Sequence, residues 1–168
     1  MKQPVIDIIV DFLKSIGTEV IMRPINVETF LPGLQLENGK IVIDTEKLLY
    51  PGDILHEAGH LAAYAPGVRE TIGDPLPEHM SGGFEMMALS WSYAACLHIG
   101  LDPAIVFHAE GYRGESKNLL QNFAEGRHIG LNMLQWLGMA YDEKKAKEFN
   151  TLPYPNMISW VRTLKDTD

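Results

Sequence analysis

Along the chain the apolar residues change period twice. Val5, Ile8, Ile9, Phe12 and Leu13 recur at three-to-four spacing, with Asp7, Asp11 and Lys14 off the stripe. That predicts an amphipathic helix over residues 4–16, stopped by Gly17. Residues 18–23 are then β-prone and end at Pro24. Two further runs, 33–37 and 40–44, flank Asn38-Gly39, a pair that tolerates positive φ at both turn positions and so signals a hairpin. Together these runs predict a small antiparallel sheet of about three strands.

Beyond residue 50 the helical period returns. Pro51-Gly52-Asp53 carries turn and N-cap signals, and the helix they open runs to about Tyr64 before Pro66-Gly67. Residues 69–79 read as loop. Ser81 is placed to start a second helix reaching Ile99, closed by Gly100, and Asp102-Pro103 to start a short third. Later helical patterns lie at 116–124, 129–139 and 155–164, while the mixed charges of 142–148 read as a solvated face. No repeat, low-complexity tract or linker divides the chain. The expectation is one α+β domain over residues 1–168: an N-terminal helix, a small sheet, and a mostly helical remainder with residues 53–64 central.

Composition narrows the function classes. The 168 residues are 46% hydrophobic and 21% charged, which excludes a disordered chain. Fourteen Lys+Arg against 22 Asp+Glu leave a net charge of −8, a field that repels phosphate backbones and anionic lipid. Neither a nucleic acid nor a membrane is therefore expected as a partner. The single cysteine, Cys96, cannot make an internal disulfide, which favours a reducing compartment. The first residues include acids where a signal peptide has an apolar core, and the most apolar run, 86–97, falls short of the roughly 20 residues of a bilayer span. A cytoplasmic location is expected.

Chemistry concentrates at His56-Glu57-Ala58-Gly59-His60, an HExxH sequence inside a predicted helix. With six histidines in the chain, an accidental match is expected only about 0.02 times. Residues four apart on a helix rise about 6 Å and differ by about 40° in azimuth, so both imidazoles can reach one Zn²⁺. Glu57 stands about 60° beyond His60, beside the pair without pointing straight at the ion. That suits a base acting on a metal-activated water. Ile54, Ala58, Leu61 and Ala62 form the opposite, apolar face. Gly59 costs a helix about 1 kcal/mol relative to alanine, which makes sense if another backbone comes close. The bland alternative is two ordinary histidines and a surface acid on a half-buried helix.

Two histidines leave a tetrahedral site incomplete. The HExxHxxGxxH arrangement is excluded, because Ala63 and Pro66 stand where it needs glycine and histidine. Glu85, 25 residues beyond His60, is the leading third ligand. It opens a segment that is apolar nearly all round, where a carboxylate needs a partner. Glu78 and His79 are its rivals in the preceding loop, followed by Asp74, His108 and Glu110.

Residues 39–44, then Ile54-Leu55-His56-Glu57-Ala58-Gly59-His60-Leu61, resemble the zincin metallopeptidases. Within them the chain looks most like the glutamate-ligated branch, the gluzincins, including the small ImmA/IrrE-type proteins. Glu85-Met86-Met87-Ala88 with Trp91, Ala94 and Ala95 is similar to that group's Glu-x-x-Ala helix, although the alanine–aromatic spacing is offset. The resemblance covers about residues 39–97. It implies zinc on His56, His60 and Glu85, Glu57 as general base, and hydrolysis of a peptide bond in a peptide or protein substrate, with a regulatory protein as one such substrate. The alternative is a non-catalytic interaction module on a zincin scaffold, with a structural or lost metal site.

Other constellations add little. Cys96 and His98 are about 200° apart on a helix and cannot form a dyad. No GxSxG elbow, phosphate-binding loop or dinucleotide glycine pattern is present. Met80, Met86, Met87, Met133 and Met139 read as core filler. His108, Tyr112, Arg113 and His128 are candidates for stabilising an oxyanion, not separable by pattern. Trp136, Met139 and Trp160 are available for a subunit contact, with core packing the default; substrate and oligomeric state are not written in the pattern.

Overall fold

In the computed structural model, residues 2–77 and 82–164 are described. The first element is α1, Lys2–Ser15, which buries Ile6, Ile9, Val10, Phe12 and Leu13 along the expected stripe. Three short strands follow: β1 (Val20–Met22), β2 (Leu34–Glu37) and β3 (Lys40–Ile43). Helices α2 (Gly52–Ala62), α3 (Gly83–His98), α4 (Ser116–Ala124), α5 (Leu131–Trp136) and α6 (Glu143–Glu148) complete an α+β architecture. Single 3-10 turns cover Arg69–Thr71, Pro103–Ile105 and Tyr112–Gly114.

The hairpin forms as the turn chemistry requires. Asn38 and Gly39 sit at φ 48° and 74°, and Leu34 pairs with Ile43, Glu37 with Lys40. The expected antiparallel sheet is corrected at β1, which runs parallel to the central strand β3, making a mixed sheet in the order β1-β3-β2. The cause is where the two exits meet. Pro24 cannot continue a ladder, and the Asp44 carboxylate accepts the Ile25 N–H at 2.9 Å, holding the end of β1 beside the end of β3. The loop that follows then crosses to the far edge before β2 begins.

Between the sheet and α3 lies α2, with Ile54, Leu55, Ala58, Leu61 and Ala62 all buried. Its cap position is Pro51, which makes no side-chain cap bond, while Asp53 turns its carboxylate to another partner described below. The apolar α3 buries Met87 to Ser92 and Ala94 to Cys96. Cys96 is fully enclosed, and burial pushes its thiol up to about 12. Of the methionines, Met87 and Met139 are core, Met133 packs against it and Met86 is half exposed; Met80 lies outside the described residues.

The later elements depart from their predicted lengths. The helix expected from Asp102-Pro103 is one 3-10 turn capped by the Asp102 side chain, and the pattern at 129–139 yields only α5. The charge run at 142–148 is itself a helix, α6, capped by Asp142. Residues 155–164 are not helical. Their apolar spacing serves an irregular strap: Trp160 accepts the Trp91 indole N–H at 2.9 Å and stands edge-on to Phe12, and the Arg162 N–H donates to Ala62 at the end of α2. Among the described residues, no helix is long and apolar enough to cross a membrane.

Candidate metal centre

One turn of α2 and the first turn of α3 meet at the site. His56 Nε2 and His60 Nε2 lie 3.2 Å apart, with their rings nearly perpendicular. Glu85 reaches both, Oε1 at 3.0 Å from His56 Nε2 and Oε2 at 2.9 Å from His60 Nε2. Ligands at about 2.0–2.1 Å from zinc define a tetrahedron with edges of about 3.3–3.4 Å. The three donor positions are thus already close to one face of that tetrahedron. Two imidazoles and a carboxylate also form the donor chemistry that zinc takes.

Burial and charge fit the same picture. His60 is 3% exposed, whereas the Glu85 side chain is 52% exposed, so the cluster is closed on the α2 side and open at α3. Hydrogen bonds from His56 and His60 hold the Glu85 carboxyl well below the usual carboxylate range. Glu57 is half-buried. Removal from water pushes its carboxyl up to about 7, opposed by His60 and reinforced by Asp74, Glu85 and Asp53.

Glu57 lines a cavity of about 540 Å³ that it shares with Leu31, Leu34, Gln35, Asp74 and Leu76. Val27 and Phe30 stand at this cavity, and Phe30 is almost wholly exposed. Asp74, a rival ligand on the sequence, has another task. Its carboxylate accepts the Leu36 N–H at 2.8 Å and its own N–H donates to the Leu36 carbonyl, closing much of the outer edge of β2. The Leu34 N–H is likewise taken by the Leu31 carbonyl.

The remaining candidates separate. His108 is not in the cluster; its Nε2 lies 2.9 Å from Asp53 Oδ1 and its ring stacks on Tyr50. Glu110 and Arg113 are exposed, and His128 packs on Tyr154 and Phe123. Glu78 and His79 lie outside the described residues. Tyr112 Oη comes within 3.4 Å of His56 Nδ1, and burial pushes its phenol well above the ordinary value. The Asp53–His108 pair leaves no signal in the sequence, because Asp53 reads as helix-start chemistry and His108 lies 55 residues away. Among the described residues, His56, His60 and Glu85 are the group able to hold a metal ion. Compared with known proteins, the chain matches no family model, no curated protein and no solved structure.

Proposed function

We propose that the chain is a zinc-dependent peptidase of the glutamate-ligated HExxH type, holding the ion on His56, His60 and Glu85. The observation that carries this reading is the convergence of three donor atoms, 2.9–3.2 Å apart, contributed by two helices. Two imidazole nitrogens and a carboxylate that converge at one point can share a cation at ordinary zinc–ligand distances. Three protein donors leave the fourth position of a tetrahedron for a water, as hydrolysis requires and a closed structural site does not.

Zinc held by His56, His60 and Glu85 would supply Lewis-acid chemistry, which makes water nucleophilic at neutral pH and polarises a carbonyl. Glu57 does the proton work. Its carboxylate takes the proton of the attacking water as the C–O bond forms, then delivers it to the leaving nitrogen as the C–N bond breaks. The half-buried setting of Glu57 limits competition from bulk water. The adjoining cavity, walled by Leu31, Leu34 and Leu76, accommodates a substrate side chain. Strand addition along β2 contributes little, since Asp74 already occupies the outward groups of Leu36.

The test is zinc content and cleavage of a mixed-sequence peptide library, for wild type and Glu57→Gln. Zinc retained near one per chain in both, with cleavage lost only in the variant, supports the reading. A wild type that takes up no zinc, or equal cleavage by the variant, refutes it.

A further inference from the structure

We infer that Tyr112 is a positioning residue that fixes the ring and tautomer of His56 from the side opposite the metal, an inference that rests on the zinc reading of the site. An imidazole that binds a metal through Nε2 carries its proton on Nδ1, and that N–H needs an acceptor that holds the ring in place. Tyr112 Oη lies 3.4 Å from His56 Nδ1, and the two rings meet edge-on with centroids 6.0 Å apart. With Nε2 committed to the metal, Nδ1–H would donate to the phenol oxygen.

The segment around Tyr112 is built to keep the phenol there. Tyr112 and Arg113 adopt φ 55° and 52°, a left-handed conformation that side chains other than glycine rarely take, and Gly114 follows at φ 83°. Both ends of the turn are tied down. Ser116 Oγ donates to the carbonyls of His108 and Gly111, and His108 pairs with Asp53, one turn before His56 on the same helix. Gly111 lies so close to the His108 ring that a Cβ would stand 3.0 Å from it. Two contacts one helical turn apart, His108 on Asp53 and Tyr112 on His56, therefore dock this segment on α2. His60 has no such support: its buried Nδ1 has no hydrogen-bond partner among the described residues. The fixed ligand of the pair is His56.

Tyr112→Phe removes the oxygen and keeps the ring that packs near Phe107 and His108. Zinc affinity is read by chelator competition, coordination by the visible spectrum of the cobalt-substituted protein, and stability by thermal unfolding without metal. The expected result is a zinc Kd weaker by about 10–100-fold, an altered cobalt spectrum, and an unchanged metal-free melting temperature. A Kd within twofold of wild type overturns the inference, as does a loss of affinity matched by a lower metal-free melting temperature. If wild type binds no zinc, the site reading fails along with it. If wild type binds zinc and cleaves peptide while Tyr112→Phe matches it, only the role of Tyr112 falls.

Discussion

Gly59 of α2 rests directly on the backbone of Ala88 in α3: a Cβ on Gly59 would stand 3.2 Å from the Ala88 Cα and 3.3 Å from its carbonyl oxygen. Ala88 lies one turn beyond Glu85, and Gly59 immediately precedes His60. The close approach of the two helices at this pair is what lets the short Glu85 side chain span both imidazoles.

Gly59→Ala sets two effects against each other. Alanine favours the helix by about 1 kcal/mol, while the new methyl must push back a neighbour that is backbone and cannot rotate away. The expected outcome is stability within about 1 kcal/mol of wild type but zinc affinity several-fold weaker, because α3 carries Glu85 outward. Gly59→Val goes further and destabilises by about 2–3 kcal/mol. Urea unfolding and chelator competition measure the two quantities separately. A Gly59→Ala protein with wild-type zinc affinity would remove the link between helix spacing and the site.

The parts legible in the sequence are those with local causes. Asn38-Gly39 makes its hairpin because two adjacent residues decide it, and His56 and His60 converge because helical spacing decides that. Glu85 stands beside both imidazoles, but the reason the pattern offers, a carboxylate enclosed in an apolar segment, does not hold: its side chain is 52% exposed, because the buried run of α3 begins only at Met87. The direction of β1 was not readable, since it depends on Asp44 reaching Ile25. The same holds for residues 155–164, whose apolar spacing imitates a helix while Trp160 is recruited by Trp91 and Phe12. Tyr112 could be named only as one of four undistinguished candidates, because its contact with His56 spans 56 residues.

Zinc should stabilise the protein as a ligand of the folded state. On the proposed zinc reading, free zinc at a hundredfold excess over Kd would add about 2.7 kcal/mol to unfolding. EDTA should remove that increment from wild type. Glu85→Ala, which leaves only the two imidazoles, should show little of it at the same zinc concentration. Thermal unfolding with and without zinc decides the matter; an equal increment in the variant would mean that Glu85 is not a ligand.

Arg69 ties the end of α2 to the C-terminal strap. Its guanidinium donates to the carbonyls of Leu61, Tyr64 and Arg162. Arg69→Met keeps the stem and strips the donors, so three carbonyls at a partly buried junction lose the guanidinium's hydrogen bonds, at a cost of about 1–3 kcal/mol. Arg69→Lys should recover little, because one ammonium cannot reproduce a planar fork reaching three oxygens. Urea unfolding of the two variants measures this, and a lysine variant equal to wild type would contradict it.

The last prediction concerns acid. Asp44 is 6% exposed, and its carboxylate accepts the N–H groups of Ile25 and Glu46 at 2.9 and 3.2 Å. The Ile25 bond above all holds the carboxyl below its ordinary 3.8, with burial opposing and the bonds from Glu46 and Lys47 and the Lys47 charge assisting. A carboxyl depressed in the folded state contributes stability that is fully present above the ordinary value and is lost as pH falls through the depressed one. Asp44→Asn substitutes an amide nitrogen that cannot accept, so the variant should unfold at lower urea than wild type at about pH 7. On acidification below 3.8 the wild-type carboxyl protonates and gives up the same advantage, so the two midpoints should draw together. A gap of constant size from neutral pH to about pH 2 would show that the charge of Asp44 does not hold the exits of β1 and β3 side by side.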